Sequence, residues 1–381
     1  MRRSLLAWYR AHRRALPWRA DRDPYRVWIS EAMLQQTRVE AVVPYFERFL
    51  ARFPNVAALA SAPLDDVLAA WSGLGYYSRA RTLHATARTI AGPRAGVFPS
   101  TVEELRGLPG IGPYTAGAIA SIAFDVRAPL VDGNVARVLC RVLALAGDPA
   151  SGELKRALWE RAEELLPARS SPGEWNQALM ELGALVCVPR DPRCSACPIA
   201  PDCRAFAAGL TRELPWPKAR REPVDVELTV LAVARGGAIL VEQRPLGGRM
   251  AGLWQLPTIQ RSPHEPLLFP ADWPAAPMSA RRLLVADASD ARELRHAITH
   301  HRIRAELRRG RTTSAALPDD MRFVGPREVA DLALTGMAKK ALRVLAAWDD
   351  DGRAAILAPR RLRARAVGSR RAPSNPKRRN D

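Results

Sequence analysis

Leu108-Pro109-Gly110-Ile111-Gly112-Pro113-Tyr114-Thr115-Ala116-Gly117-Ala118-Ile119 separates two stretches of helical periodicity. Gly110 and Gly112 lack a Cβ, so the backbone there can turn and bring amides to the surface. The amides that open the following helix then face outward, an arrangement suited to a phosphate. A plain packing corner between helices has similar composition, so this segment alone leaves both readings open.

Two further segments follow. Val131-Asp132-Gly133-Asn134-Val135-Ala136-Arg137-Val138 comes about fifteen residues on, and in isolation Asp132 reads as a helix N-cap. Then come four of the five cysteines, Cys187, Cys194, Cys197 and Cys203, spaced C-x6-C-x2-C-x5-C. Pro189, Pro192, Pro198 and Pro201 exclude a regular helix between them. Four soft ligands on a short rigid loop suit a 4Fe-4S cluster. Structural zinc usually takes two short-spaced couples, and only Cys194 and Cys197 form one. Unligated thiols are the third reading. Cys140 falls in the apolar stripe Val135–Leu145 and is expected in the core.

The chain has 381 residues, enough for two or three domains, and is 48% hydrophobic. Lys and Arg number 58 against 39 Asp and Glu, a net charge of +19. That balance, with a pI near 10.8, points to a polyanion, nucleic acid first. No run of eighteen apolar residues predicts a membrane span. The N-terminus meets Tyr9, Arg10 and His12 too early for a signal peptide. Free thiolates fit a reducing compartment, so a cytoplasmic, nucleoid-associated enzyme is expected.

Residues up to about 210 read as helices, with apolar periodicity in Val27–Leu34, Val135–Leu145 and Trp175–Val186. Arg212 to Pro223 is a linker by composition. Val224 to Val230 then alternates as a strand, Arg235-Gly236-Gly237 makes a turn, and Ala238 to Gln243 returns as a second strand. No internal repeat is present. The expected fold class is multidomain, an all-α core followed by an α+β unit. The division is 1–186 helical with the hairpin at 105–121, 187–210 cysteine loop, 211–223 linker, 224–350 α+β, and 351–381 a basic, disordered tail.

In this order the motifs resemble the helix-hairpin-helix DNA glycosylase superfamily, and within it the adenine DNA glycosylases of the MutY type. The resemblance covers most of residues 1–350. It is dense in Leu16-Pro17-Trp18-Arg19, in Trp28 to Thr37, in Trp71 to Arg79, and in the hairpin and cysteine loop. It implies removal of adenine mispaired with 8-oxoguanine or guanine in double-stranded DNA, by a monomer carrying a 4Fe-4S cluster on Cys187, Cys194, Cys197 and Cys203. It also implies hairpin contacts to DNA at Gly110 and Gly112.

Cleaving an adenine N-glycosidic bond calls for an acid to protonate the purine and an anion to support an oxocarbenium-like sugar. Glu31 is the candidate acid, since Val27, Trp28 and Leu34 at neighbouring helical offsets would raise its pKa. Asp132 is the candidate anion, kept ionised by backbone N–H groups at a helix start. Tyr114 stands where endonuclease III-type enzymes carry a lysine that attacks the sugar, and a tyrosine forms no Schiff base. The resemblance further places Gln36 and Tyr76 as wedges in the duplex, Trp18, Arg19 and Gln177 around the adenine, and Asn134 beside Asp132. Arg190, Arg193 and Arg204, with the basic tail, are candidate phosphate contacts.

The C-terminal half resembles the Nudix-like domain of the same family, through Arg244 to Pro257 and His296-Ala297-Ile298-Thr299-His300-His301. Thr299 and His300 are the candidate readers of 8-oxoguanine. Ile298 replaces the family's usual aromatic residue. No Nudix metal-binding box is found, so a reader without pyrophosphatase activity is expected. A glycosylase/lyase for oxidised pyrimidines, and a DNA-binding scaffold without activity, are the competing readings. Tyr114 argues against the first, and the pair Glu31 and Asp132 against the second.

Overall fold

The computed structural model describes residues 1–168, 170–216, 222–245, 250–260, 284–312 and 316–348. As far as Ala207 the described regular elements are all helical. The α-helices are α1 (Arg2–His12), α2 (Pro24–Leu34), α3 (Val39–Arg52), α4 (Val56–Ser61), α5 (Leu64–Ala70), α6 (Ser78–Ala91), α7 (Val102–Arg106), α8 (Pro113–Phe124), α9 (Gly133–Val142), α10 (Gly152–Glu164), α11 (Pro172–Leu185) and α12 (Arg204–Ala207), with short 3-10 turns at Pro17–Arg19, Cys194–Ala196 and Ala200–Asp202.

These helices bury two cores. Trp28, Phe46, Phe49, Leu68 and Trp71 centre the first, built from α2 to α8. Val135, Leu139, Trp175 and Leu182 centre the second, built around α9 and α11. The first helix skips the lobe next to it in sequence. Leu5, Leu6 and Tyr9 of α1 bury in the second core, against α11. The chain therefore begins in the second lobe, builds the first, and returns.

Local signals start the two helices that matter most. Asp23 caps α2 by accepting from Tyr25 N at 2.8 Å, with Pro24 in the first turn. Asp132 caps α9 through Val135 N. The pattern Val135–Leu145 reads three residues too long. At Ala144 φ is +54°, and Leu145 N donates back to Cys140 O at 2.8 Å, so the helix ends at Val142. Leu143 and Leu145 still pack on the core, which is why apolar periodicity continues past the helix.

The second half holds β1 (Val224–Arg235), β2 (Ala238–Gln243), β3 (Trp254–Gln255), β4 (Thr258–Gln260), β5 (Leu284–Ile298), β6 (His301–Thr312) and β7 (Met321–Val324), then α13 (Pro326–Asp331) and α14 (Gly336–Trp348). One mixed sheet runs β3-β2-β1-β6-β5, with β4 on β1 and β7 on β2. The pair β1 and β6 is parallel from Val224↔His301 to Val233↔Gly310. Gly236 and Gly237, at φ +57° and +80°, make the two-residue turn between β1 and β2. Met337, Ala338, Ala341 and Leu342 of α14 close the core over Val226, Val230 and Ile303.

The two halves touch. Leu253 and Ala333 join the core of the first helical lobe. Arg81 Nη1 donates to Ala251 O at 2.7 Å, and Lys339 Nζ to Ser72 Oγ at 2.5 Å. Part of the linker, Leu246 to Arg249 of the long motif, and the basic tail lie outside the described residues.

Candidate active site

Glu31 projects from α2 and is buried. It meets Tyr114, in the first turn of α8, whose hydroxyl donates to Glu31 Oε2 at 2.5 Å. Burial pushes the Glu31 carboxyl up to about 7. The Tyr114 hydrogen bond pulls it down and the nearby Asp132 pushes it up. Near neutral pH the group is thus poised to hold a proton. With Oε2 taken by Tyr114, Oε1 is the oxygen left to present that proton.

Asp132 stands at the start of α9. Its Oδ1 accepts from Val135 N at 2.7 Å and its Oδ2 from Asn134 Nδ2 at 2.9 Å. Those donors were the sequence argument for an ionised carboxylate. The structure alters the balance, because burial outweighs them and the pKa is raised above the ordinary aspartate value. Burial disfavours the charged form by more than the backbone N–H groups of Asn134 and Val135 and the Asn134 amide favour it.

Glu31, Tyr114 and Asp132 line one open cleft between the helical lobes. Trp18, Arg19 and Gln177 form its inner wall, while Gln36, Gly110 and Gly112 lie along it too. Asn134 completes it beside Asp132. Gly110 has φ +69°, and a Cβ there would meet Thr82 Cγ2 at 2.0 Å. A Cβ on Gly112 would meet nothing within 4 Å, so that turn is open to solvent.

Tyr76 is outside the cleft lining and 48% exposed, which removes it from the core. Gln36 and Tyr76 both sit at positive φ, +57° and +47°, at turns that hold their side chains out. Thr299 and His300 form the two-residue tip between β5 and β6, with Thr299 at φ +56°, and neither lines the cleft. Ile298 packs partly buried against the sheet core. Cys140 is fully buried. Arg190, Arg193 and Arg204 are exposed.

Several functional residues escaped the sequence reading. Glu181 on α11 is buried at the cleft and bound by Arg14 and Arg19, both at 2.9 Å. Burial pushes its carboxyl up, but the two guanidinium groups pull it further down, to about 2. A charged residue inside the apolar stripe Trp175–Val186 was the available signal. Arg79 was another. Its guanidinium donates to Ala32 O, Met33 O and Gln35 O at the end of α2, and to Leu74 O and Gly75 O before Tyr76. One side chain thus staples the two protruding turns.

Cys187, Cys194, Cys197 and Cys203 line a single apolar recess with Val138, Leu182 and Ile199. Among the described residues no three His, Cys, Asp or Glu side chains are placed to hold a single metal ion. A lone zinc would need its sulfurs only about 3.8 Å apart, from Zn–S bonds of about 2.3 Å, whereas a cluster of four irons spreads them wider. Four thiol donors around one apolar recess fit such a cluster. Arg141 is buried beside it, with Nη1 at 3.3 Å from Cys187 Sγ and at 2.8 Å from Val188 O. Arg137 Nε donates to Cys187 O and its Nη2 to Asn134 Oδ1, at 2.7 and 2.8 Å. A continuous set of hydrogen bonds therefore runs from Asp132 to the cysteine loop.

Residues 29–164 match the profile of the HhH-GPD superfamily base excision DNA repair protein, which makes the helical half a repair glycosylase of the helix-hairpin-helix kind. Residues 229–344 match the NUDIX domain. The adenine DNA glycosylase of Mus musculus is 36% identical over 434 residues, covering 98% of this chain and 82% of the mouse protein. That of Homo sapiens is 38% identical over 402 residues, covering 90% and 73%. A thermostable thymine-DNA glycosylase superposes with a TM-score of 0.50 at 29% identity, over 54% of this chain and 94% of that one. The chain belongs to the adenine DNA glycosylase family. It is an enzyme of base excision repair, a hydrolase of N-glycosyl bonds.

Proposed function

We propose that this enzyme excises adenine standing opposite 8-oxoguanine or guanine in duplex DNA, and leaves the strand uncut. The observation that carries the reading is the Tyr114 hydroxyl bound to Glu31 at 2.5 Å, where a lyase would need an amine. The described residues of the cleft include no lysine. That favours hydrolysis over Schiff-base chemistry.

The steps follow from the groups present. The adenine flips from the stack, which costs least at a mispair. Glu31 gives its proton to the purine, so the electrons of the breaking C1′–N9 bond leave on a neutral base. Asp132 faces the cationic sugar and stabilises it. Water adds to C1′ and its proton returns to the Glu31 carboxylate, restoring the acid. Gln36 and Tyr76 fill the emptied stack, on turns that Arg79 fixes.

Cys187, Cys194, Cys197 and Cys203 would hold the 4Fe-4S cluster, which when bound cross-links the loop and serves structure rather than bond cleavage. Arg190 and Arg193 on that loop would then meet DNA phosphates. Thr299 and His300 would read 8-oxoguanine from the opposite strand. The protein would act as a cytoplasmic, nucleoid-associated monomer.

The test is a single-turnover assay on end-labelled duplexes with adenine opposite 8-oxoguanine, with and without final alkali. Breaks that need alkali are the expected result. Breaks without alkali would overturn the hydrolytic reading, and no breaks from cluster-loaded protein would overturn the substrate.

A further inference from the structure

Behind the inner wall of the catalytic cleft lies a second recess of about 310 Å³. Tyr9, Arg13, Asp21, Arg22 and Glu174 line it, and Ala20 lies at its edge. The cleft and the recess share Arg19, Ile122 and Gln177, so these side chains are the partition between them.

The partition is unevenly held. Arg19 is anchored to buried Glu181 by two hydrogen bonds, at 3.2 and 2.9 Å, and to Arg14 O. Gln177 is held by two long ones. Its Oε1 accepts from the Tyr9 hydroxyl at 3.2 Å, and its Nε2 donates to Gly173 O at 3.3 Å. Both lie at the weak end of hydrogen-bond geometry. A rotamer change of Gln177 needs no backbone movement and breaks no ion pair.

On the other side, Gln36, Gly110 and Gly112 line the cleft where, on the adenine-excision reading, the duplex would sit. With the duplex seated there, the sugar stands between the detached base and the front opening. The polar groups of the recess are largely paired already. Glu174 is bound by Arg10 at 2.6 and 2.8 Å, and Asp21 by Arg26 at 3.1 Å. Such walls solvate a small polar heterocycle without gripping it, as a passage requires.

We propose that this recess is the exit for the free purine base, with Gln177 as its gate, so that adenine leaves while the abasic duplex is still bound. The inference rests on the adenine-excision reading. It places the departure of the base before that of the DNA, by a separate route.

The experiment uses full-length, cluster-loaded enzyme in excess over a duplex carrying radiolabelled adenine opposite 8-oxoguanine. Abasic sites are counted by alkali cleavage. Free adenine is counted in the filtrate after rapid capture of the enzyme–DNA complex on a filter. Two plugs are compared with wild type, Ala20→Trp and Asp21→Trp, both at exposed positions outside the cleft lining. Thermal melts verify that both fold.

Wild type should release adenine as fast as abasic sites form. The plugs should form abasic sites at the wild-type rate and release adenine at least tenfold more slowly, no faster than the duplex itself dissociates. Adenine leaving both plugs at the wild-type rate would overturn the exit. So would slower abasic-site formation with adenine following at once, since the recess would then admit water rather than pass the base. No abasic sites in wild type would instead strike the adenine-excision reading beneath it.

Discussion

Glu31 combines an acid's task with a cost to the fold. Its folded pKa, about 7, lies above the ordinary value of 4.5. The folded state therefore binds this proton more tightly than the unfolded chain. Stability from this group is complete below pH 4.5, drains away as pH rises towards 7, and is lost above it. The cost at pH 8 is about 3 kcal/mol for a shift of this size. Glu31→Gln should abolish adenine excision while sparing DNA binding. It should also raise the melting temperature relative to wild type more at pH 8 than at pH 5. An equal offset at both pH values would mean the carboxyl is not buried as described. Tyr114→Phe removes the donor that favours the carboxylate, so the alkaline limb of the single-turnover rate should move to higher pH. An unmoved limb would separate Tyr114 from the acid.

Among the elements, the hairpin before α8 offers an internal control. Gly110 has positive φ and no room for a Cβ, whereas Gly112 has space. Gly110→Ala should cost at least about 1–2 kcal/mol in chemical denaturation, the usual penalty for a left-handed alanine. Gly112→Ala should cost less than about 0.5 kcal/mol, as at an ordinary surface site. Equal costs would contradict the geometry. Glu181 ties α11 to the segment that carries Arg14 and Arg19. Glu181→Ala leaves two partly buried cations without their anion and should cost about 3–5 kcal/mol. A loss below about 1 kcal/mol in urea unfolding would make the pair a surface contact.

Legibility differed by element for a physical reason. The hairpin, the cap at Asp132 and the four cysteines carry their chemistry within a few neighbouring positions, so their order along the chain is readable. Arg14 and Glu181 are separated by 167 positions. Only the fold discloses that the charge in the apolar stripe has a partner. The role of Arg79 is equally hidden, because its carbonyl acceptors come from two turns that sequence does not bring together. The upward shift of Asp132 was hidden likewise, since burial is a property of the assembled cleft.

At the scale of the whole molecule, the sheet domain is fastened to the first helical lobe through Leu253, Ala333 and the Arg81 and Lys339 contacts. A chain ending at Trp216 should keep the excision chemistry, because every described residue of the cleft precedes that point. It should lose preference for 8-oxoguanine over guanine opposite adenine, measured as the ratio of single-turnover rates. An unchanged ratio would remove Thr299 and His300 from recognition.

The return of the chain to its starting lobe also sets a timetable at the ribosome. The last residue of α1 is His12 and its packing partner α11 opens at Pro172, 172 − 12 = 160 positions later. At ordinary elongation rates of roughly 5–20 residues per second, that interval is on the order of 8–30 s. Throughout it Leu5, Leu6 and Tyr9 lack their final neighbours, while the lobe bearing Glu31 and Tyr114 can already collapse. The newborn enzyme thus carries an unfinished catalytic cleft and a first helix whose apolar face nascent-chain chaperones have time to find.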